Sequence, residues 1–400
     1  MAKLAINGGK PIIPGGLKRR WPIYGQTEKK ALLQVLKSGR WCSLGNTKGK
    51  VAQVERAFAQ LVGTRYAKAV STGTTALELA VRACEIGAGD EVIVPAVTFM
   101  ATATAVLMNG AVPIFVDIDP QTYQISPDAI EAAITDRTKA ILPVHYGGYP
   151  ADMDRIMEIA RKHHLFVIED CAEAYGSEWR GKQVGSIGEI GCFSFQMGKP
   201  LTCGEGGAIT YDDEALAVDC YSFARTVKKP EGEETYYLPA GNWRMSEFAA
   251  AILLAQLSRI QQQTQIRYQN GEYLAQEIEK MEGLSTLKRD GRVTRRGYFF
   301  FFLRYDASRW DHIHRDRFIE ALKAEGVFCW TAHNEPLYRN PAFRQIKKSY
   351  LTVPGIDYSK CHCPEAERIY ETEVVALGKD FLMDRKNVDR VLDAIYKWRK

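Results

Sequence analysis

The feature that most constrains the fold is the regular alternation of short apolar runs and helix-patterned segments between residues 66 and 170. The runs include YAKAV (66–70), EVIVPAVTF (91–99) and LFVIED (165–170), and the segments between them have apolar residues at helical spacing. Strands separated by helices are typical of a parallel sheet with helices on both faces. We therefore predict an α/β fold for this part of the chain.

The rest of the chain predicts a different organisation. IGCFSF (190–195) and GGAITY (206–211) predict two strands joined by a loop, and the almost Gly- and Pro-free stretch from about 245 to 281 predicts one long helix or two in sequence. We expect a large domain at 1–245, a connecting helical region at 246–284 and a smaller α+β domain at 285–400.

Composition excludes several classes of protein. The 53 Lys and Arg residues nearly balance the 48 Asp and Glu residues, and they are dispersed, which argues against nucleic acid as the main partner. Nine irregularly spaced cysteines in 400 residues indicate reduced thiols and a cytoplasmic protein rather than a disulfide scaffold. No signal-peptide core and no run of about 18 apolar residues is present, so we expect no membrane partner.

Three stretches follow predicted strands on the side where open parallel sheets bind ligands. STGTTAL (71–77) opens a helix and predicts either a phosphate site or ordinary helix capping. Asp170 ends an apolar strand, where its carboxylate could hold a buried cation or cap a helix. Lys199 has no charged neighbour until Glu205, and it is either a sheltered reactive amine or a surface lysine.

The order of these stretches favours one cofactor. A phosphate-binding helix start, an aromatic side chain just past a strand (Phe99), a strand-end acid and an isolated lysine together suit pyridoxal phosphate. The phosphate anchors the cofactor, the aromatic ring stacks on the pyridine, the carboxylate keeps the ring nitrogen protonated, and the lysine forms the Schiff base.

These motifs resemble those of the DegT/DnrJ/EryC1/StrS aminotransferases, a branch of the aspartate-aminotransferase (fold type I) superfamily. The resemblance spans about residues 70 to 257 and is carried by STGTTAL, VPAVTFMATA, FVDIDPQTY, VIEDCAEAYGS, FSFQMGKPLTCGEGGAI and GNWRMSEFAAAILLAQL. It implies an aspartate-aminotransferase-like large domain with a mixed, mainly parallel sheet, and a smaller α+β C-terminal domain.

The resemblance also implies roles for single residues. Lys199 would be the Schiff-base lysine and proton carrier, Asp170 the partner of the pyridine nitrogen, and Phe99 the stacking ring. The implied phosphate ligands are Gly73, Thr74 and Ser194.

Two further positions concern the subunit interface and the cofactor's phenolic oxygen. Asn242 would reach the phosphate of the neighbouring subunit's cofactor, so the resemblance implies a homodimer with shared active sites. Glu173 stands where the family commonly has Gln or His near the phenolic oxygen. The sequence leaves open whether this carboxylate is protonated, turned away or functional.

Transaminating members of the family have a lysine where a dehydratase branch has histidine, so Lys199 favours amino transfer from glutamate or glutamine to a keto sugar or keto-cyclitol. The SFQxxK form and the opening LAINGGKPI…WP resemble the scyllo-inosose subgroup, which also includes aminohydroxybenzoate synthase-like enzymes. The candidate substrate contacts, for each of which packing or surface exposure is the alternative, are Trp41, Arg225, His333 and Tyr338.

Two other functions compete with transamination. One is a lyase on the same cofactor, such as a dehydratase or an aminohydroxybenzoate synthase-like enzyme, and the other is a non-catalytic regulatory protein. We expect no metal, because Cys361, His362 and Cys363 are too close together for a zinc finger and no second pair follows. We expect structural roles for His145 and Cys171.

Overall fold

The computed structural model describes residues 3–17, 21–216, 220, 241–333, 335–347, 350–351, 353 and 355–399. Its α-helices are α1 (Gln26–Ser38), α2 (Lys50–Val62), α3 (Gly73–Ala83), α4 (Ala101–Met108), α5 (Pro127–Ala132), α6 (Met153–His163), α7 (Glu247–Ile278), α8 (Arg315–Ala324), α9 (Pro341–Arg344), α10 (Pro364–Arg368) and α11 (Arg385–Arg399). Its strands are β1 (Tyr66–Val70), β2 (Glu91–Pro95), β3 (Val112–Val116), β4 (Thr138–Ile141), β5 (Phe166–Asp170), β6 (Glu178–Trp179), β7 (Lys182–Gln183), β8 (Ile190–Ser194), β9 (Gly207–Tyr211), β10 (Leu284–Ser285), β11 (Val293–Arg295), β12 (Phe300–Tyr305), β13 (Cys329–Trp330) and β14 (Val374–Gly378).

The central sheet has seven strands in the order β1-β9-β8-β5-β4-β2-β3. From β3 to β8 all neighbouring strands are parallel, whereas β9 runs antiparallel to both β1 and β8. The prediction of an α/β fold with a mixed, mainly parallel sheet is therefore confirmed.

Helices cover both faces of this sheet, as the alternating directions of the β2 side chains show. Val92 and Val94 pack in one apolar cluster with α3 and α4, while Ile93 between them packs in another cluster with α6. Since successive side chains of a strand point to opposite faces, the two clusters lie on opposite sides of the sheet.

Local sequence signals explain most helix starts. Ser126 caps α5 by accepting the Ala129 N–H at 3.3 Å, and Pro127 is the first helical residue. The helical stretch predicted from about 245 to 281 forms one helix, α7, at Glu247–Ile278. Helix α3 ends at Ala83.

The C-terminal part contains a second sheet in the order β10-β12-β14-β13, which shares an apolar cluster with α8 and α11. Helix α7 belongs to both halves: Leu253 packs in a cluster with β8 and β9, and Ile278 packs with the second sheet.

The proposed domain boundaries stay a prediction. The nine cysteines are free thiols. Within the described ranges, none of the helices combines the length and apolarity that crossing a membrane requires.

Candidate active site

A cavity of about 450 Å³ lies beyond the carboxyl ends of the parallel strands β2, β5 and β8. It brings together side chains from helix starts, strand ends and the loop between β8 and β9. Seven residues predicted from the sequence line it: Gly73, Thr74, Phe99, Asp170, Glu173, Ser194 and Lys199.

One end of the cavity is suited to an anion. Gly73 and Thr74 form the start of α3, whose N-terminal N–H groups favour negative charge. Ser194 ends β8 directly beside them, and a Cβ added at Gly73 would lie 2.5 Å from the Ser194 Cβ. A side chain at position 73 would therefore fill the space between the helix start and the serine.

A buried carboxylate lies in the same cavity. Asp170 is 5% exposed, and it accepts hydrogen bonds from the Thr102 Oγ1 at 2.9 Å and from the Ala172 N–H at 3.1 Å. The Thr102 hydroxyl lies 2.9 Å from that of Thr98. Burial raises the pKa of Asp170, and the two hydrogen bonds and the charge of Lys199 oppose this rise. The donors thus stabilise the ionised form that could pair with a buried cation.

The adjacent Glu169 points to a different environment, where it forms a closed hydrogen-bond network. Three backbone N–H groups donate to it at 2.8 Å, those of Gly185, Ile187 and Gly188. His145 Nδ1 accepts the Ala151 N–H at 3.0 Å, so its Nε2 carries the proton that it donates to Glu169 at 2.9 Å. Burial also raises the pKa of the neighbouring Cys171 thiol. All three side chains approach one another as metal ligands could, but their ligand atoms are already occupied or protonated.

Lys199 lies in a turn, where its N–H donates to the Gln196 carbonyl at 2.9 Å. Its side chain is 16% exposed, and its Nζ lies 3.4 Å from Glu173 Oε1 and 4.7 Å from the centroid of the Phe299 ring. The other oxygen of Glu173 accepts the Gly147 N–H at 3.0 Å. Glu173 is thus turned towards the lysine.

The loop carrying Lys199 is held from behind by two side chains that sequence reasoning missed. The Trp21 Nε1–H donates to the Met197 carbonyl, and the Lys379 Nζ donates to the Gly198 carbonyl, both at 2.7 Å. Lys379 also lies 4.6 Å from the centroid of the Trp21 ring. The sequence signal at Lys379 is a lysine directly after the apolar run VVALG, but Asp380 follows it at once, so it lacks the isolation from other charges that marks Lys199.

Trp41, His333 and Tyr338, three of the candidate substrate contacts, are not among the residues that line this cavity. The ring of His333 stacks on Tyr146 with centroids 5.6 Å apart, and its buried Nε2 has no hydrogen-bond partner among the described residues. Burial, together with the charge of Lys199, lowers the pKa of His333 to about 4. Trp41 is half-exposed and packs against Phe248. Asn242 is exposed.

Tyr338 is a core residue. It is 2% exposed, packs against Phe115, and uses its hydroxyl to donate to Glu367 and to accept the Cys363 N–H at 2.9 Å. Its hydroxyl therefore faces the protein interior rather than the cavity. Arg225 lies outside the described residues. His362 Nδ1 is 3.0 Å from the same Glu367, and no metal-type cluster within the described ranges includes it.

A mainly parallel sheet whose strand ends present a phosphate-type helix start, a buried carboxylate and a lysine defines the class of fold-type-I aminotransferases. The sequence model of the DegT/DnrJ/EryC1/StrS aminotransferase family matches residues 22–396. The chain belongs to this family and is an aminotransferase.

The chain is similar to enzymes of known name along nearly its whole length. The chain is 37% identical over 417 residues to the L-glutamine:scyllo-inosose aminotransferase of Streptomyces griseus, with 100% of this chain and 97% of the relative covered. It is 38% identical over 421 residues to the L-glutamine:2-deoxy-scyllo-inosose aminotransferase of Streptomyces kanamyceticus, covering 99% and 96%. The crystal structure of 3-amino-5-hydroxybenzoic acid (AHBA) synthase superposes with a TM-score of 0.84 at 30% identity, covering 96% of this chain and 100% of that one.

Proposed function

We propose that this protein is a pyridoxal-phosphate-dependent aminotransferase that moves an amino group from glutamine or glutamate to a keto sugar or keto-cyclitol, with a cyclitol ketone as the favoured acceptor. The observation that carries the proposal is the single cavity shared by Lys199, Asp170 and the start of α3. The names of the relatives at 37% and 38% identity support the cyclitol and the glutamine donor.

The residues of the cavity fit pyridoxal phosphate. The start of α3 at Gly73 and Thr74, with the Ser194 hydroxyl, would hold the phosphate, and Asp170 would hold the protonated ring nitrogen. Phe99 is exposed towards the cavity and offers a flat apolar face to the ring. When bound, the cofactor supplies an electron sink for the carbon that loses or gains the amino group.

The hydrogen bonds around Asp170 have a direct role in this chemistry. A carboxylate attracts a proton to the ring nitrogen only while it is ionised, and burial opposes ionisation. The Thr102 hydroxyl and the Ala172 N–H stabilise the ionised form and fix its orientation. Asp170 is therefore prepared to hold a cationic ring nitrogen before the cofactor arrives.

Lys199 provides the amine that would bind the cofactor covalently and then take up and return the proton at the amino-bearing carbon. Glu173 Oε1, 3.4 Å from the Nζ, holds the free lysine as an ion pair and orients it into the cavity. Because the Gly147 N–H fixes the other carboxylate oxygen, Glu173 has little freedom to follow the lysine when it moves.

The proposal extends to assembly and location. Asn242 is exposed, so it is available to the cofactor phosphate of a second copy in a homodimer with shared active sites. The free thiols suit a reducing compartment such as the cytoplasm.

The test is a screen of scyllo-inosose, 2-deoxy-scyllo-inosose and nucleotide keto-sugars with glutamine or glutamate, read by mass. We expect a ring amine formed without loss of water, and covalent labelling of Lys199 after borohydride reduction. Lys199→Ala should lose both the label and turnover, while the exposed control Lys182→Ala keeps them. Full activity in Lys199→Ala would contradict the mechanism, and a dehydrated aromatic product would favour the AHBA synthase-like alternative.

A further inference from the structure

A second cavity of about 570 Å³ adjoins the cavity that contains Lys199. Gln196 lines both cavities, so they meet at the loop that carries the lysine. The second cavity is formed where the N-terminal segment, this loop and the second sheet meet. Six aromatic side chains line it, namely Trp21, Phe299, Phe300, Phe328, Trp330 and Phe381.

The two charged side chains among the described residues that line this aromatic cavity form a pair. The Lys379 Nζ lies 3.2 Å from Asp380 Oδ1, and the lysine side chain is only 8% exposed. That Asp380 oxygen is itself buried and, beyond this ion pair, receives no hydrogen bond from the described residues. A carboxylate oxygen has room for a second donor, so a hydroxyl group entering the cavity would add a hydrogen bond that the protein leaves unmade.

We propose that the aromatic cavity binds the ring of the acceptor, a neutral polyhydroxylated cyclitol ketone; this inference rests on the proposed function. The apolar C–H face of such a ring packs on aromatic side chains, and its hydroxyls bond to Asp380 and to the amide of Gln196. Apolar walls with a few convergent polar groups are the usual construction of a small-molecule site.

The charges of the described lining residues do not favour a nucleotide-sugar acceptor. A diphosphate is recognised by several cationic donors or by a helix N-terminus. Among the described residues that line the aromatic cavity, Lys379 is the one cation, and Asp380 and the Gly198 carbonyl already engage it. The described lining is therefore close to neutral and suits an uncharged ring.

The aromatic cavity is also next to the reactive amine. The Lys199 Nζ lies 4.7 Å and the Lys379 Nζ 5.7 Å from the centroid of the Phe299 ring, which lines the cavity. A ring packed against Phe299 thus lies beside Lys199 without entering the space needed by the cofactor.

The test combines a binding assay with kinetics. Binding of scyllo-inositol, an unreactive ring polyol, is measured by calorimetry on the wild type, Phe328→Ala and Asp380→Asn. Phe328 is 51% exposed, so its truncation should be tolerated. We expect each variant to bind scyllo-inositol and scyllo-inosose about tenfold more weakly or worse. We expect Phe328→Ala to leave the single-turnover reaction of the amino donor unchanged. The matched control is Phe166→Ala, which is 37% exposed at the far end of β5.

The outcomes separate this inference from the proposed function. Scyllo-inositol binding that weakens in both variants supports the cavity assignment even if no amine product forms, in which case only the proposed function fails. Amine formation by the wild type with cyclitol affinities unchanged in Phe328→Ala and Asp380→Asn overturns the assignment. Tighter binding of a nucleotide diphosphate sugar than of the cyclitol, abolished by Phe328→Ala, overturns it as well.

Discussion

Replacing Thr102 by valine should raise the pKa of Asp170 and lower the free energy of unfolding. Thr102 is fully buried, and its hydroxyl donates to Asp170 at 2.9 Å while lying 2.9 Å from the Thr98 hydroxyl. Its one hydrogen points to Asp170, so it accepts from Thr98. Valine fills the same volume but removes a donor from the carboxylate and an acceptor from Thr98.

The size of the effect follows from the charge of the acceptor. A hydrogen bond to an ionised group contributes about 1.5–3 kcal/mol, so Thr102→Val should lower the free energy of unfolding of the cofactor-free protein by about that amount. Thr102→Ser is the matched control, because it keeps the hydroxyl and loses one methyl group, which costs about 1 kcal/mol.

The pH dependence identifies the cause. Burial raises the pKa of Asp170 in the folded state above its unfolded value, and the valine variant raises this pKa further because a stabilising donor is gone. The cost of a raised carboxyl pKa is present at pH values above the folded pKa and disappears as the pH falls below the unfolded one. The deficit of Thr102→Val should therefore be greatest near neutral pH and should fall in acid to the pH-independent cost of the hydrogen bond that Thr98 loses.

The assay is urea unfolding of the cofactor-free wild type and both variants from about pH 4 to about pH 8, a range that covers protonation of the carboxyl. The deficit of Thr102→Ser should be nearly constant over this range. A valine deficit that equals the serine deficit at every pH would refute the role assigned to the Thr102 hydroxyl.

Two further substitutions test the site and the core. Gly73→Ala would place a Cβ 2.5 Å from the Ser194 Cβ and should weaken pyridoxal phosphate binding about tenfold or more, measured by absorbance titration; unchanged affinity would remove Gly73 from the phosphate site. Tyr338→Phe should lose the hydrogen bonds to Glu367 and Cys363 and about 1.5–3 kcal/mol of stability in denaturant unfolding, with near wild-type kinetics. A large rise in the KM of the acceptor would instead make Tyr338 a substrate contact.

Local sequence patterns predict much of this fold because strands and helix starts depend on interactions between residues that are close in the sequence. Apolar β-branched runs and capping residues such as Ser126 locate strands and helix starts within a few residues. The antiparallel insertion of β9 between β1 and β8 could not be predicted in the same way. It depends on pairing between segments more than 100 residues apart, which no local pattern records.

The candidate site likewise contains some residues whose location could be inferred from the sequence and others whose location could not. Phe99 and Asp170 follow strands, and the carboxyl ends of parallel strands meet at one edge, so their shared location could be inferred. Thr102, Trp21 and Lys379 could not, because each acts on a partner far away in the sequence. The orientation of Glu173 likewise depends on the Gly147 N–H, whose position only the folded chain defines.

The hydrogen bond from Lys379 to the Gly198 carbonyl has a consequence for biosynthesis. Trp21 is synthesised before Lys199, whereas Lys379 follows Lys199 by 180 residues. A nascent chain can form the central sheet before Lys379 is synthesised, since domains fold as units during synthesis. The lysine loop nevertheless lacks one of these two supports until the segment that carries Lys379 has emerged. A chain terminated before Lys379 would thus carry the reactive amine on an incompletely supported loop.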